Sequence, residues 1–334
     1  MKTSKIAAAA LALIVPSTIC LSGCSIGFFS FFNYTYENGD KYTAGDREIE
    51  DKITTLNIDY VSGDVKLTGT DTDTVSVKET SNKTLTEEQK VHTWVDGNTL
   101  YVRYCASTKK ISFDKIEKSL EINIPGEQDL DDLTVHISSG NLGCNGVTTD
   151  NLNVKSSSGG VGFSGSASDI VIKASSGNIY LDQDGDSNSM DINSSSGSIS
   201  INQKGLIDSI KLHASSGNVN SVLDKASKLD ISVSSGDITI EADEITELKS
   251  RSSSGCNEFK LGREPQTSDI HSSSGNVKIY LPDDSNITVR PHISSGEFNY
   301  EIPFAKNGKE YVNGNGTSDM KIEVSSGNVD IFKA

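Results

Sequence analysis

The sequence predicts an all-β protein, in which a parallel β-solenoid (β-helix) of about ten coils with roughly 20 residues each follows an N-terminal β cap. Three observations support this fold class. A Ser-Ser-Gly turn recurs along the chain at nearly constant spacing. The segments on both sides of the turn alternate apolar and polar residues with a period of two, as strands with one buried face do. Charged residues at one position before the turn change sign from one repeat to the next.

The turns are marked by the glycine that ends each Ser-Ser-Gly. Successive turn glycines lie 18 to 21 residues apart, except for a last interval of 31. Only a few positions separate the buried residues of the two strands, so the chain must turn a corner there, and glycine permits the positive φ this requires. An Asn often follows, as at Asn178, and we expect it to adopt a left-handed conformation too. The structural turn glycines are Gly140, Gly159, Gly177, Gly197, Gly217, Gly236, Gly255, Gly275, Gly296 and Gly327.

The charge pattern separates a solenoid from an array of hairpins, which would show the same alternation. If coils stack in parallel register, equivalent residues lie about 4.8 Å apart, where opposite charges attract and like charges repel. An antiparallel array would not bring these positions together. Six residues before the glycine the signs alternate along the chain: Asp191, Lys211, Asp230, Lys249, Asp269 and Arg290.

The chain divides into four predicted segments. They are a lipoprotein signal peptide (1–23), a membrane-proximal tether (24–48), an N-terminal β cap with the first coils (49–131) and the Ser-Ser-Gly repeat solenoid (132–334). A cap is needed because an open sheet edge pairs with other chains. Within the long last interval, residues 306–316 are expected to project as a loop near the other end.

The N-terminus is typical of an exported lipoprotein. Lys2 and Lys5 precede an apolar run, residues 6–19, that is too short to span a membrane. The following "LSGC", residues 21–24, resembles the bacterial lipobox, in which the cysteine is acylated and becomes the first mature residue. Because two acyl chains anchor a protein stably, we expect Cys24 to hold the chain on the membrane outside the cytoplasm.

Aromatic residues follow Cys24 closely, and two interpretations of them remain open. They lie at the level of the lipid headgroups, or they cover the base of the folded domain. The residues are Phe28, Phe29, Phe31, Phe32, Tyr34 and Tyr36.

Several stretches resemble a known family. "LEINIPGEQDLDDLTVHISSGNL" (120–142), the serial "SSSGNI"-like turns and the closing "DMKIEVSSGNVDIF" (319–332) resemble the bacterial β-strand-repeat family of candidate adhesins. The resemblance covers nearly all of the chain after about residue 49. It implies a surface-exposed solenoid linked to adhesion or to cell-envelope stress responses, and it supplies no catalytic residues.

Charge and composition narrow the function. The formal net charge of −16 disfavours binding to nucleic acid or non-specific binding to anionic membranes. No Ser/His/Asp constellation recurs on one face, so we predict no catalytic residue and no cofactor. The expected protein is a non-enzymatic, lipid-anchored, adhesin-like surface scaffold whose partners are the membrane, through the lipid, and cell-wall polymer or another surface protein. An envelope-stress sensor is the alternative, and a glycan-active β-helix enzyme is less favoured.

One outward column is rich in basic residues and forms a candidate binding stripe. Four residues before the turn glycine, such side chains recur on an otherwise acidic protein, which indicates a face for anionic glycopolymer or lipid headgroups. The alternative is a solvated face of long side chains. The stripe consists of His136, Lys155, Lys173, His213, Arg251, His271 and His292.

Metal sites are weakly indicated. Asp182, Asp184 and Asp186 are spaced like the start of a calcium loop, but the rest of an EF-hand is absent. His271 and His292 could share a metal, but two imidazoles without a third ligand are a weak signal. Beyond Cys24, the mature chain has three cysteines, an odd number that supports no disulfide framework.

Overall fold

The computed structural model describes residues 32–126 and 128–334. The predicted signal peptide, Cys24 and the first three aromatics after it lie outside the described residues. The described chain is nearly all β-strand, and the predicted β-solenoid fold class is confirmed. Within these residues, no helix is long and apolar enough to cross a membrane.

The N-terminal part contains the first ten strands and two short helices. They are β1 (Phe32–Tyr34), β2 (Thr43–Ala44), β3 (Arg47–Ile49), β4 (Thr55–Ser62), β5 (Val65–Thr70), β6 (Val75–Ser81), β7 (His92–Asp96), β8 (Thr99–Arg103), β9 (Thr108–Ile111) and β10 (Lys118–Pro125), with 3-10 helices at Gly39–Lys41 and Glu87–Gln89.

The middle of the chain forms the regular coils. Its strands are β11 (Leu130–Ser139), β12 (Leu142–Ser158), β13 (Val161–Ser176), β14 (Ile179–Gln183), β15 (Ser187–Ser196), β16 (Ile199–Ser216), β17 (Val219–Ser235), β18 (Ile238–Ser254), β19 (Asn257–Leu261), β20 (Thr267–Ser274) and β21 (Val277–Leu281).

The C-terminal part completes the stack. Its strands are β22 (Ile287–Ser295), β23 (Phe298–Tyr300), β24 (Ala305–Asn307), β25 (Glu310–Asn313), β26 (Ser318–Ser326) and β27 (Val329–Lys333).

The first coil is formed by β4 and β5 around Gly63. β4 pairs in parallel with β11, and β5 pairs in parallel with the start of β12. On the outer side of this coil lie β8 and β10, and the antiparallel strands β6, β3, β7 and β2 continue the cap. The N-terminal edge of the stack is therefore covered.

Residues 32–48, which the sequence placed in the tether, fold onto this cap. β1 pairs with β9, β2 with β7 and β3 with β6. The ring of Tyr34 lies 6.1 Å from those of Tyr104 and Phe113, and the Tyr36 hydroxyl donates to the Cys105 carbonyl. For Tyr34 and Tyr36, the structure supports the interpretation in which aromatics cover the base of the domain.

Inward side chains from consecutive coils form continuous buried columns. Ile210, Leu229 and Leu248 occupy the position seven before the turn in three successive coils, and each is at most 1% exposed. Burying an aliphatic side chain contributes roughly 1.5–3 kcal/mol, while one coil cannot offset the entropy of its own ordering. Stacking of neighbours, rather than any single coil, holds the fold together.

The coil order departs from the chain order at the C-terminal end. β26 pairs in parallel with β20 on one side and with β22 on the other, and β27 lies likewise between β21 and β23. The coil of Gly327 is thus inserted between those of Gly275 and Gly296. The expectation that Arg290 stacks on Asp269 is wrong, because Lys321 lies between them.

The segment predicted as a projecting loop is a hairpin that covers part of the last coil. β24 and β25 pair with each other, and β25 pairs antiparallel with residues 287–289 of β22. The ring of Tyr311 packs against Phe298 at 4.6 Å. The expectation of a free loop at 306–316 is therefore wrong.

The turn glycines form a column of their own. All have φ between +105° and +142°, a region that favours glycine. A Cβ on Gly217 would lie 2.3 Å from the Gly197 carbonyl oxygen, so each glycine sits directly on the preceding one. The carbonyl oxygen that each glycine contacts gives the order of the column, which is Gly63, Gly140, Gly159, Gly177, Gly197, Gly217, Gly236, Gly255, Gly275, Gly327 and Gly296.

The residue after the glycine acts differently from the expectation. Among the described residues, only Asn38 and Lys115 are non-glycine residues with positive φ, so Asn178 and its equivalents are not left-handed. Their side chains instead bond to the backbone of the neighbouring coil. Asn178 Oδ1 accepts from the Ser198 N–H at 2.9 Å. Asn is favoured here because its amide oxygen reaches the next coil, not because it tolerates a left-handed backbone.

Candidate binding face

The column four residues before the turn runs the length of the stack as one ladder. We call it the basic column. Equivalent residues pair in register from the cap to the last coil, so the predicted stripe residues share one outward face. In stacking order the column is Arg103, Asp59, His136, Lys155, Lys173, Asn193, His213, Ser232, Arg251, His271, Glu323 and His292.

Two lysines near the N-terminal end of the basic column are exposed and lack an acidic partner among the described residues. Lys155 and Lys173 occupy adjacent coils, both side chains are exposed, and neither forms an ion pair with a described residue. Next to Lys155, His136 is half-buried, and desolvation lowers its pKa below the ordinary value. His136 is therefore neutral over more of the physiological range than an exposed histidine.

The C-terminal end of the column is neutralised by acids. Arg251 lies 3.9 Å from Asp230, and His271 lies 2.8 Å from Asp269 and 3.0 Å from Glu323. Arg251 and His271 are therefore engaged within the face, and the stripe is not uniformly basic. His213 lies between Asn193 and Ser232, with no charged neighbour in its own column.

Beside the basic column runs the ladder of alternating charge. Asp230 is in register with Lys211 on one side and Lys249 on the other, as the sign pattern predicts. Exposed pairs of this kind contribute at most about 1 kcal/mol each. These pairs fix the register of the coils, and they leave the alternating ladder nearly neutral. The positive charge of this face is therefore concentrated at Lys155 and Lys173 in the basic column.

The calcium-like aspartates do not converge. Asp182 accepts from Asn202 at 2.7 Å, Asp184 lies 2.7 Å from Lys204, and Asp186 accepts from a backbone N–H at 2.8 Å. Each carboxylate is thus used by the next coil. In the described part of the chain, no group of three or more His, Cys, Asp or Glu could hold a metal ion.

A buried ion pair lies in the N-terminal cap, and sequence reasoning missed it. Lys118 Nζ lies 2.7 Å from Glu79 Oε1, with side-chain exposures of 0% and 3%. Burial lowers the Lys118 pKa, with Glu79 opposing that effect. Tyr60 donates to the same carboxylate, and Lys118 Nζ lies 4.0 Å from the centre of the Tyr104 ring. The cluster is closed to solvent, so we assign it to the cap and not to binding.

The sequence also missed three charged members of the basic column. Asp59 and Glu323 are acidic, and a search for basic residues passes over them. Arg103 precedes no Ser-Ser-Gly turn, so only the pairing of β8 with β4 places it in register. Glu323 does lie four residues before Gly327, so its position relative to that turn was available as a signal.

The Toastrack DUF4097 family model matches residues 53–255 and 164–332, which together make up most of the chain. The chain belongs to the Toastrack DUF4097 family. No curated protein matches it.

Three solved structures resemble this Toastrack chain at low identity. A candidate cell adhesion protein from Clostridium sporogenes is 12% identical, with 88% of this chain and 100% of that chain covered and a TM-score of 0.22. A candidate adhesin from Parabacteroides distasonis is 14% identical, covering 86% and 96%, with a TM-score of 0.43. A candidate adhesin from Bacteroides fragilis is 14% identical, covering 86% and 96%, with a TM-score of 0.33.

Proposed function

We propose that this Toastrack protein is a non-enzymatic binding scaffold, anchored outside the cell membrane through a lipid on Cys24. Its ligand is an anionic cell-wall polymer or an anionic surface protein, bound on the face that carries the basic column. The observation that carries the proposal is the pair Lys155 and Lys173, exposed on adjacent coils and free of acidic partners among the described residues. On a chain of net charge −16, such a pair concentrates attraction for a polyanion at one place.

The geometry suits a linear ligand. Consecutive side chains of the column are about 4.8 Å apart along the stack, so one extended polyanion can meet several of them in turn. Sheet strands hold the backbone at these positions rigidly, so little backbone ordering entropy opposes binding.

A charge-matched pair of variants tests the binding face. Lys155→Ser/Lys173→Ser removes two positive charges from the basic column, and Lys211→Ser/Lys249→Ser removes two from the alternating ladder beside it. Binding to purified cell wall and to dextran sulfate is measured in sedimentation and titration assays at several salt concentrations. We expect the first variant to lose about tenfold in affinity, since each exposed contact is worth up to about 1 kcal/mol, and to show a shallower salt dependence.

The control separates a specific face from overall charge. The Lys211/Lys249 variant should keep its affinity within about twofold because those lysines lie between acids. Equal losses in the two variants would show that net charge alone decides binding, and the proposal would fail.

The lipid anchor is tested separately. Cys24→Ser should move the protein from the membrane fraction to the soluble extracytoplasmic fraction while leaving binding to dextran sulfate unchanged. A Cys24→Ser protein that stays in the membrane fraction would refute the lipid anchor.

A further inference from the structure

The last coil of the stack has an open strand edge after its turn. Among the described strands β23 pairs only with β27, whereas β27 lies between β21 and β23. Residues 294–297 and 299–301 are exposed, and the hairpin of β24 and β25 pairs with β22 only at residues 287–289. We propose that the open edge, residues 296–301, binds an extended basic segment of another protein, which adds to the sheet as one more strand.

Each inner coil receives the next coil through three groups beside the turn. The N–H of the turn glycine donates to a serine carbonyl of the next coil, as Gly275 does to Ser326 at 3.0 Å. The N–H two residues later does the same, as Val277 does to the Asn328 carbonyl at 2.9 Å. Between them, the Asn276 side-chain oxygen accepts from the Asn328 N–H at 2.9 Å.

In the last coil the equivalent groups are the N–H of Gly296, the N–H of Phe298 and the carboxylate of Glu297. The Glu301 N–H donates back to the Ile331 carbonyl of β27 at 2.9 Å. Because N–H groups alternate in direction along a strand of a parallel sheet, those of Gly296 and Phe298 face away from β27. Within the described residues no further coil meets them, and such an unpaired edge is a template for another strand.

The repeated pattern defines how a partner strand lies on this edge. It runs parallel to β23, as each coil runs parallel to the coil before it. Its backbone offers one carbonyl to the Gly296 N–H, a second to the Phe298 N–H, and an N–H to the Glu297 carboxylate. In strand addition of this kind the main-chain bonds supply affinity, and the alternate side chains supply specificity.

The outward side chains of the edge select a basic partner. Glu297 and Glu301 are both exposed, and neither forms an ion pair with a described residue. Glu301 accepts only the backbone N–H of Lys333, at 3.3 Å, and the ammonium group of Lys333 is bound by Asp283. Opposite charges on neighbouring strands stabilise a sheet. A partner with Lys or Arg at two positions four residues apart therefore places one cation beside each glutamate.

The inward side chains of the edge select apolar residues between those cations. Tyr300 is 43% exposed, and its ring packs against those of Phe304 at 5.5 Å and Tyr311 at 5.4 Å. Successive side chains of a strand point to opposite faces of the sheet. Apolar residues at alternate positions of the partner would thus cover the exposed part of this aromatic cluster.

A second copy of this chain fits the edge poorly. Head-to-tail stacking of two solenoids is blocked, because the cap strands cover the N-terminal edge of the stack. Antiparallel pairing of β23 with itself about Asn299 would bring Glu297 opposite Glu301 of the second copy, where like charges repel. The net charge of −16 adds to this repulsion.

The test uses the full chain and a labelled peptide, Ser-Ser-Gly-Lys-Val-Thr-Val-Lys, whose lysines fall opposite Glu297 and Glu301. We expect saturable binding by fluorescence anisotropy. Glu297→Gln/Glu301→Gln should weaken binding about tenfold, since one exposed ion pair contributes up to about fivefold in affinity. The charge-matched control Glu50→Gln/Asp51→Asn, at exposed acids of the cap, should stay within about twofold. A peptide with Glu in place of both lysines should not bind.

Amide hydrogen exchange locates the bound peptide. The amides of Gly296 and Phe298 should exchange rapidly in the free protein and at least tenfold more slowly with saturating peptide. Those of Gly275 and Val277 already bond to the next coil and should stay protected throughout. Circular dichroism checks that each variant remains folded.

Four results would overturn the proposal. They are the absence of saturable binding, equal losses in the two variants, slowed exchange only at residues outside 294–301, and a dimer in light scattering that Glu297→Gln/Glu301→Gln strengthens. The last result would assign the edge to a second copy of the chain, because removing like charges favours self-pairing.

Discussion

Replacing Gly217 by Ala tests whether the turn glycines set the distance between coils. The φ of Gly217 is +133°, and an added Cβ would lie 2.3 Å from the Gly197 carbonyl oxygen and 2.6 Å from its carbon. Relief requires the two coils to separate by about 1 Å at this corner, since carbon and oxygen do not approach so closely without repulsion. The chain cannot simply rotate out of the contact, because sheet pairing holds both sides of the corner.

The expected cost follows from what this separation breaks. Backbone strain at such a φ costs about 1–3 kcal/mol for a residue with a side chain. The Gly197 N–H donates to the Ser216 carbonyl at 3.0 Å and the Ile199 N–H to the Asn218 carbonyl at 2.9 Å, and losing these two bonds between the coils costs about 1 kcal/mol each. We therefore expect Gly217→Ala to lower the free energy of unfolding by about 3–5 kcal/mol.

The measurement is urea unfolding followed by circular dichroism, with Gly97→Ala as the matched control. Gly97 also has positive φ, +60°, but a Cβ there meets no atom within 4 Å. Its replacement should cost only the left-handed backbone term of about 1–2 kcal/mol. If Gly217→Ala shifts the urea midpoint no more than Gly97→Ala does, the glycines do not set coil spacing and the argument from close approach is wrong.

Three further predictions concern the cap, stability in acid and the Asn side chains that follow the turn glycines. Lys118→Met should cost about 3–5 kcal/mol because it leaves Glu79 buried without a counter-charge, whereas Lys204→Met at an exposed pair should leave the urea midpoint nearly unchanged. With His136→Gln, the melting temperature should fall less between pH 7.5 and pH 5.5 than it does in the wild type. Burial lowers the folded-state pKa of His136, so the unfolded chain takes up the proton first and the wild type loses stability as the pH falls. Asn218→Ala removes the side-chain oxygen that accepts a 2.9 Å hydrogen bond from the Asp237 N–H of the next coil, and it should cost about 0.5–1.5 kcal/mol in urea unfolding. An unchanged urea midpoint would show that these Asn side chains do not stabilise the stack.

The fold class could be predicted because its determinants are local and repeated. Alternation within one coil identifies which side chains face inward, and a corner that only glycine can turn appears as a recurring letter. Ile210, Leu229 and Leu248 were assignable to one buried column from their distance to the turn alone. Such features need no knowledge of which coil lies next to which.

The order of the coils could not be predicted, because two repeats carry the same charge at the same distance from the turn. Arg290 and Lys321 both carry the charge that complements Asp269, and both precede a Ser-Ser-Gly turn by six residues. Either coil could stack there on electrostatic grounds. The hairpin of β24 and β25 pairs with β22 from the outside, so β22 is the end of the stack and the last repeat lies inside it. That choice depends on contacts between distant segments, which no local pattern encodes.

The candidate binding face depends on the stacking order of the coils more strongly than the fold class does. Along the basic column, neighbours in space decide whether a cation is free for a ligand or already neutralised. Lys155 and Lys173 are consecutive in both the chain and the stack, so the sequence identified them correctly as neighbours. His271 and His292 are consecutive among the repeats but not in the stack, and the coil between them contributes Glu323. The same insertion neutralises this end of the column for a polyanion, because it places Glu323 beside His271. A solenoid with strictly sequential coils would have placed the two imidazoles on neighbouring coils with no carboxylate between them.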